Sequence, residues 1–188
     1  EDIPPPEIYD PATGTFSLTT ANTVTPHAFH TATLLQDGRV LIAGGITTPE
    51  PGSASPAPDG ESSGVATTAA ELFDPATGTF AATGAMTSPR IWDTATLLAD
   101  GRVLFVGGLT NPNMSATTDA GGAADTTPMS AEVYDPASGT FSPTGASSGM
   151  RVGHTANLLG DGQVLVAGGL AQNDGSQSQD PFSKGAEL

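Results

Sequence analysis

Two positions that can do chemistry recur in this chain of 188 residues. The first position holds histidine or arginine, and the third residue after it is histidine or aspartate. Side chains of these types could bind a polar ligand through hydrogen bonds and charge. They could equally bond the backbone of a neighbouring unit or pair with carboxylates of adjacent loops. The six candidate binding residues are His27, His30, Arg90, Asp93, Arg151 and His154.

Each candidate pair comes directly before a repeated sequence. Its copies are TATLLQDGRVL at 31–41, TATLLADGRVL at 94–104 and TANLLGDGQVL at 155–165, and each leads into a glycine pair. A second repeated sequence reads EIYDPATGTF at 7–16, ELFDPATGTF at 71–80 and EVYDPASGTF at 132–141, with a further copy beginning at Glu187. Repetition at a period of roughly 50 residues is typical of propellers and solenoids.

Both repeated sequences predict antiparallel hairpins. Asp37-Gly38 and its equivalents predict a two-residue type I′ turn, and the uninterrupted apolar run from Val40 to Ala43 predicts a strand buried on both faces. In the second sequence, Asp-Pro-Ala-Thr-Gly supplies the turn between two aromatic residues. Four antiparallel strands per unit predict an all-β fold of propeller blades.

The order of hairpin, glycine pair, long loop and Tyr/Phe-Asp-Pro turn resembles the kelch repeat of galactose-oxidase-like propellers, with phenylalanine where that family usually has tryptophan. The predicted units are a half blade at 7–18, blades at 30–82 and 94–143, and an incomplete blade at 154–188. Long loops are predicted at 46–69, 109–130 and 170–185. A closed disc needs at least four blades, so further blades are expected from the same longer chain or from another subunit. Because the chain begins at Glu1, we interpret it as a processed or excerpted segment.

Strand reversal within each blade should bring the long loops and the six candidates to one face of the disc. Loops on a rigid scaffold often carry function, so that face is the predicted binding face. Trp92 is interpreted as packing filler there. The glycine pairs have a structural interpretation, the close approach of backbone between blades. They are Gly44, Gly45, Gly107, Gly108, Gly168 and Gly169.

Two loop features suggest further chemistry. Oxygen-bearing side chains alternate at Asp174, Ser176, Ser178 and Asp180, a weak calcium pattern for which a solvated acidic loop is the favoured interpretation. Asn113 begins an Asn-Met-Ser glycosylation sequence, which also arises by chance. No other cofactor is predicted.

The resemblance to galactose oxidase implies copper held by tyrosine and histidine, with a tyrosine modified by cysteine. This chain has no cysteine, and both of its tyrosines, Tyr9 and Tyr134, lie in the repeated turn sequence. We therefore expect that the chain is not an enzyme.

The formal net charge is -15, which disfavours nucleic acid and anionic membrane surfaces as partners. The scarcity of lysine and the Ser/Thr/Pro-rich loops predict an extracellular or cell-surface location. The first functional hypothesis is a secreted binding scaffold for a carbohydrate or a protein. The alternatives are a structural subunit that assembles by pairing of edge strands, and the propeller part of a larger carbohydrate-active oxidase or hydrolase.

Overall fold

In the computed structural model, residues 5–47, 64–110, 130–149, 151–170 and 186–187 are described. This part of the chain consists of antiparallel strands without a helix, so the all-β prediction is confirmed, and it offers no helix that could cross a membrane. The strands are β1 (Glu7–Asp10), β2 (Thr15–Leu18), β3 (Thr31–Leu34), β4 (Val40–Ala43), β5 (Ile46–Thr47), β6 (Val65–Ala66), β7 (Ala70–Asp74), β8 (Thr79–Ala82), β9 (Thr94–Leu97), β10 (Val103–Val106), β11 (Ser130–Asp135), β12 (Thr140–Ala146), β13 (Thr155–Leu158), β14 (Val164–Ala167) and β15 (Ala186–Glu187).

Eleven of these strands form three similar sheets in chain order. Sheet 1 has the order β3-β4-β7-β8, sheet 2 the order β9-β10-β11-β12, and sheet 3 the order β13-β14-β15. Their registers match, since Ile42 lies opposite Glu71 and Phe105 lies opposite Glu132. Strands β5 and β6 pair with each other at the base of the predicted loop 46–69.

The Asp-Gly hairpins form as predicted, but with a different turn. The Leu35 N–H donates to the Arg39 carbonyl, which leaves three residues in the loop, and only Gly38 among them has a positive φ (88°). The predicted type I′ turn, which needs two positive φ values, is therefore wrong. A three-residue loop ending in a left-handed glycine is the next common solution, and here the Asp37 carboxylate accepts the Arg39 N–H at 3.0 Å.

Apolar side chains from neighbouring sheets pack into separate cores. Between sheets 1 and 2 the residues include Leu41, Ala43, Val103, Phe105 and Tyr134, and Val106, Ala131 and Val166 join sheets 2 and 3. A third cluster forms around Ile91, Leu109 and Val152. Since the apolar runs of β4 and β10 contribute to these contacts, sequential sheets stand face to face.

The hairpin of β1 and β2 differs from its equivalents in the other sheets. Tyr9 is 51% exposed and Phe16 is 65% exposed, whereas the equivalent Tyr134 is fully buried. The two rings still pack on each other, with centroids 4.9 Å apart. Among the described residues β1 pairs with β2 alone, so the face that packs in sheet 2 lies open here.

The first glycine of each of the first two pairs, Gly44 and Gly107, lies where backbone of the linker to the following sheet comes close. Gly107 has a φ of 66°, and a Cβ atom there would overlap the carbonyl oxygen of Arg151 and lie 2.8 Å from Cε1 of His154. We expect Gly107→Ala to lower the free energy of unfolding by about 2–3 kcal/mol, because left-handed strain adds to overpacking.

The matched control is Gly14→Ala. Gly14 has nearly the same φ, 70°, and nothing within 4 Å of the added Cβ atom. It should lose only the backbone term of about 1 kcal/mol. Urea unfolding of both variants measures the difference, and equal losses would show that contact between the sheets does not require glycine at 107.

Candidate functional site

Arg90, the central candidate, lies inside the protein with 1% of its surface exposed. Its Nε donates to Oε1 of Glu132 at 2.8 Å, and its Nη1 donates to the carbonyl oxygens of Gly107 at 2.7 Å and Ser130 at 2.9 Å. The second oxygen of Glu132 accepts the N–H of Thr87 at 2.7 Å. The guanidinium therefore ties the linker 83–90 to the ends of β10 and β11.

The equivalent residues follow the same pattern. His27 approaches the carbonyl oxygen of Gly44 through Nδ1 at 2.7 Å and Oε1 of Glu71 through Nε2 at 3.2 Å. Arg151 donates from Nη1 to the carbonyl oxygen of Gly168 at 3.0 Å and is 4% exposed. Side chains this deeply buried hold linkers in place, and direct contact with a ligand at these positions stays a prediction.

The second candidate position has three different environments. His30 is exposed at the surface, but part of its ring is shielded from water, and this desolvation together with the charge on the nearby His27 lowers the pKa of His30. His154 is buried, and its Nε2 lies 2.9 Å from Oγ1 of Thr94 in sheet 2. Asp93 is 8% exposed, and among the described residues neither of its carboxyl oxygens has a well-formed hydrogen bond.

Burial raises the pKa of the Asp93 carboxyl from 3.8 to about 7. Its own backbone N–H and the charge of Arg90 oppose the shift, and Glu132 adds to it. A carboxyl group in such surroundings favours its neutral form.

Two further predictions concern residues that the structure does not describe. The residues of the weak calcium pattern, Asp174, Ser176, Ser178 and Asp180, and the glycosylation candidate Asn113 lie outside the described ranges.

The side chains that do reach solvent here are the neighbours of the candidates. Phe29 is 57% exposed and Trp92 is 43% exposed, and their rings pack edge to face with centroids 5.7 Å apart. They occupy equivalent positions, because each follows a residue whose backbone bridges to the residue directly after a glycine pair: Ala28 bridges to Ile46, and Ile91 bridges to Leu109. We call Phe29 and Trp92 the aromatic platform.

Both platform residues have a strained backbone. Each has a φ of 57°, a left-handed conformation that is costly for bulky side chains and often marks a functional site. The third equivalent position is Gly153, with a φ of 63°. The N–H of Gly153 donates to the carbonyl of Trp92 at 3.0 Å, so this row of residues runs from sheet to sheet.

Because Gly153 has no side chain, a cleft opens beside Trp92. Its volume is about 460 Å³, and it is lined by Trp92, Val152, Gly153, Gly169 and Leu170. The buried cluster of Ile91, Leu109 and Val152 supports it from below. The platform and the cleft together form a mainly apolar surface that a ring-shaped ligand could contact.

Sequence reasoning missed this site, since Trp92 was interpreted as filler. The presence of an aromatic residue in the sequence does not indicate a left-handed φ at that position. The available signal was Gly153, because glycine in the column that holds Phe29 and Trp92 indicates a left-handed backbone at all three positions.

The described residues do not match the copper ligands implied by the resemblance to galactose oxidase. No three histidine, aspartate or glutamate side chains in the described ranges come together around one point, and the sequence has no cysteine. Tyr134 is buried on β11 with its hydroxyl 2.9 Å from Oγ1 of Thr83, and Tyr9 lies on the exposed hairpin.

Solved structures resemble this fold. A fungal alcohol oxidase of the AA5 family, determined in complex with copper, matches 85% of this chain with a TM-score of 0.59 and 22% identity. YjhT matches 83% of it with a TM-score of 0.61 and 14% identity. The chain spans 31% of the oxidase chain and 48% of the YjhT chain. Neither a protein-family model nor a curated protein sequence matches it.

The likeness to the alcohol oxidase corrects one expectation. The missing cysteine and the structural tyrosines led us to expect a chain that is not an enzyme, and that expectation is wrong because the same fold forms part of a copper oxidase. At this identity the likeness concerns the fold. The all-β architecture of this chain is of the galactose-oxidase-like and kelch propeller type.

Proposed function

We propose that this chain is part of a kelch-type β-propeller that binds a carbohydrate on its aromatic platform. The observation that carries the proposal is the strained, exposed pair of Phe29 and Trp92. A left-handed conformation costs about 1–3 kcal/mol at each such residue, and strain of this kind persists mainly where function needs it. Glycine at both positions would fold without that cost, as Gly153 does.

The chemistry of the platform favours a sugar. A pyranose ring presents C–H groups on one face, and these pack well on the electron-rich face of an indole or phenyl ring. The cleft beside Trp92, about 460 Å³, is large enough for a ring next to the platform. The net charge of -15 favours a neutral ligand over an acidic one. A sugar ligand also suits the extracellular location predicted from the sequence.

Trp92→Gly tests the proposal. The variant should remain folded, because glycine adopts φ near 57° without strain and this relief offsets much of the packing lost with the ring, yet it should lose carbohydrate binding. Trp92 is the sole tryptophan, so its fluorescence reports binding directly in the parent protein. An array of neutral and acidic oligosaccharides selects the probe, and calorimetry with the strongest binder compares parent and variant.

Tyr9→Ala is the matched control, since Tyr9 is an aromatic residue of similar exposure on the β1–β2 hairpin. It should bind the selected oligosaccharide like the parent protein. Retained binding in the Trp92→Gly variant, or an array without any bound oligosaccharide, would contradict the proposed site.

The likeness to the alcohol oxidase supports a second candidate function, the propeller part of a larger carbohydrate-active oxidase whose catalytic residues lie outside this chain. This candidate predicts that the full protein, when supplied with copper, a sugar alcohol and dioxygen, oxidises the alcohol to an aldehyde and releases the reduced dioxygen as hydrogen peroxide. Absence of peroxide under these conditions would count against this second candidate.

A further inference from the structure

Gly153 lacks the side chain that its two equivalents carry. Phe29, Trp92 and Gly153 have φ values of 57°, 57° and 63°, so the backbone is alike at all three positions. Lack of space does not explain the glycine, because a Cβ atom added to Gly153 would meet no heavy atom within 4 Å. At the nearby Gly169, by contrast, a carbonyl oxygen would lie 2.8 Å from the added atom. The structure therefore has room at 153 for a ring that the chain does not supply.

The same backbone contact joins this row of residues to the preceding sheet in two places. The second glycine of a pair donates its N–H to the carbonyl of the arginine two residues before the row, Gly45 to Arg90 at 2.7 Å and Gly108 to Arg151 at 2.9 Å. At this end, sheets 1 and 2 therefore meet in the same way as sheets 2 and 3. A ring in the place of the missing side chain of Gly153 would contact Trp92 as Trp92 contacts Phe29.

The contact between Phe29 and Trp92 shows what such a ring would do. The two rings lie with centroids 5.7 Å apart and planes at 70°. Aromatic pairs prefer this edge-to-face arrangement, because the positive edge of one ring meets the negative face of the other. The gain exceeds what burial of the same area gives for an aliphatic group. The protein thus contains its own template for an aromatic group in the cleft.

The lining of the cleft suits a neutral ring. Besides Trp92 and Gly153 it consists of Val152, Gly169 and Leu170, and none of these five residues carries a charge. Its volume of about 460 Å³ lies in the range of about 300–1,000 Å³ that is usual for small-molecule sites. The net charge of -15 disfavours an anionic ring such as a benzoate. A neutral phenol or its ether fits both conditions.

We propose that the cleft binds an aromatic ring supplied by the ligand, so that the carbohydrate on the platform is an aryl glycoside, a sugar joined through its anomeric oxygen to a neutral phenol. The ring packs edge to face on Trp92, in the space beside Gly153, and the sugar lies on the platform. The sugar half of this inference rests on the proposed function. The aromatic half depends on the cleft alone.

Three glycosides with one sugar test the aromatic half: phenyl, cyclohexyl and methyl β-D-glucopyranoside. In calorimetry, the phenyl glucoside should bind at least about tenfold more tightly than the methyl glucoside, because its ring is buried in the cleft. It should also bind about two- to tenfold more tightly than the cyclohexyl glucoside, whose ring is apolar but not aromatic. Equal affinity for the phenyl and cyclohexyl glucosides would overturn the inference and leave carbohydrate binding intact.

Phenol is the sugar-free probe, and it separates this inference from the proposed function. It should perturb the NMR signals of the Trp92 indole and compete with the phenyl glucoside. Binding of phenol without binding of any glycoside would contradict the proposed function and the sugar half, while the aromatic cleft would stand. If neither phenol nor the phenyl glucoside binds, the aromatic cleft is refuted.

Gly153→Phe fills the cleft with a ring of the chain itself. The affinity for the phenyl glucoside should then fall to that for the methyl glucoside. Gly14→Phe is the matched control, because Gly14 has a φ of 70°, has no heavy atom within 4 Å of an added Cβ atom and lies on the turn between β1 and β2. This control should keep the preference for the phenyl group. An unchanged preference in Gly153→Phe would contradict the assigned position.

A measurement on the parent protein does not depend on whether Gly153→Phe folds. Nuclear Overhauser effects should connect the phenyl protons of the bound glucoside with the indole of Trp92 and the methyl groups of Val152 and Leu170. These three side chains line the cleft or its edge. Effects to Phe29 alone would place the ring outside the cleft and overturn the inference.

Discussion

Arg90→Met should lower the free energy of unfolding by about 3–5 kcal/mol, the usual cost of removing one partner of a buried ion pair. The substitution keeps much of the volume but leaves the Glu132 carboxylate, which is 0% exposed, without its cation. It also leaves the carbonyl oxygens of Gly107 and Ser130 without their donors. Urea unfolding followed by circular dichroism measures the loss.

Two further variants make this prediction specific. Arg102→Met removes an ion pair with Asp100 in which both side chains are about half exposed, and it should leave the unfolding midpoint unchanged within error. Arg90→Met combined with Glu132→Gln should be more stable than Arg90→Met alone, because no buried charge remains. If the double variant is no more stable than Arg90→Met, the loss of stability comes from packing of the arginine side chain and not from its charge.

Asp93→Asn should make the protein more stable at pH 8 while leaving its stability near pH 4 unchanged. Burial raises the pKa of Asp93 to about 7, so the folded chain keeps this proton to higher pH than the unfolded chain does. The contribution of Asp93 to the free energy of unfolding is therefore complete below about pH 4. It falls by at most roughly 4 kcal/mol as the pH rises to about 7. Asparagine stays neutral throughout and removes the loss.

The measurement is the free energy of unfolding of parent and variant at several pH values between 4 and 8. The difference between them isolates Asp93, because every other titrating group is common to the two proteins. Asp100→Asn is the control, because hydrogen bonds from Arg102 lower the pKa of Asp100, and it is ionised across this range. A constant difference between parent protein and Asp93→Asn would show that Asp93 does not titrate in it.

Equivalence in the sequence did not imply equivalence in the structure. His30, Asp93 and His154 share one column of the repeat, yet one is exposed, one is buried without a well-formed hydrogen bond, and one bonds Thr94 in the preceding sheet. The repeat identified the column. The surroundings of each residue depend on the side chains of the adjacent sheet, which lie about 60 residues away for His154 and Thr94.

The sequence by itself determined the strands and their hairpins. Asp-Gly turns, apolar runs and aromatic residues around the Asp-Pro turn act within a few residues, so each repeat forms its pairs from local information. Only the tertiary structure decided which side chains are available to a ligand. Arg90 is buried because sheet 2 closes around it, and Trp92 is exposed because its backbone takes a left-handed φ that no local sequence preference would select.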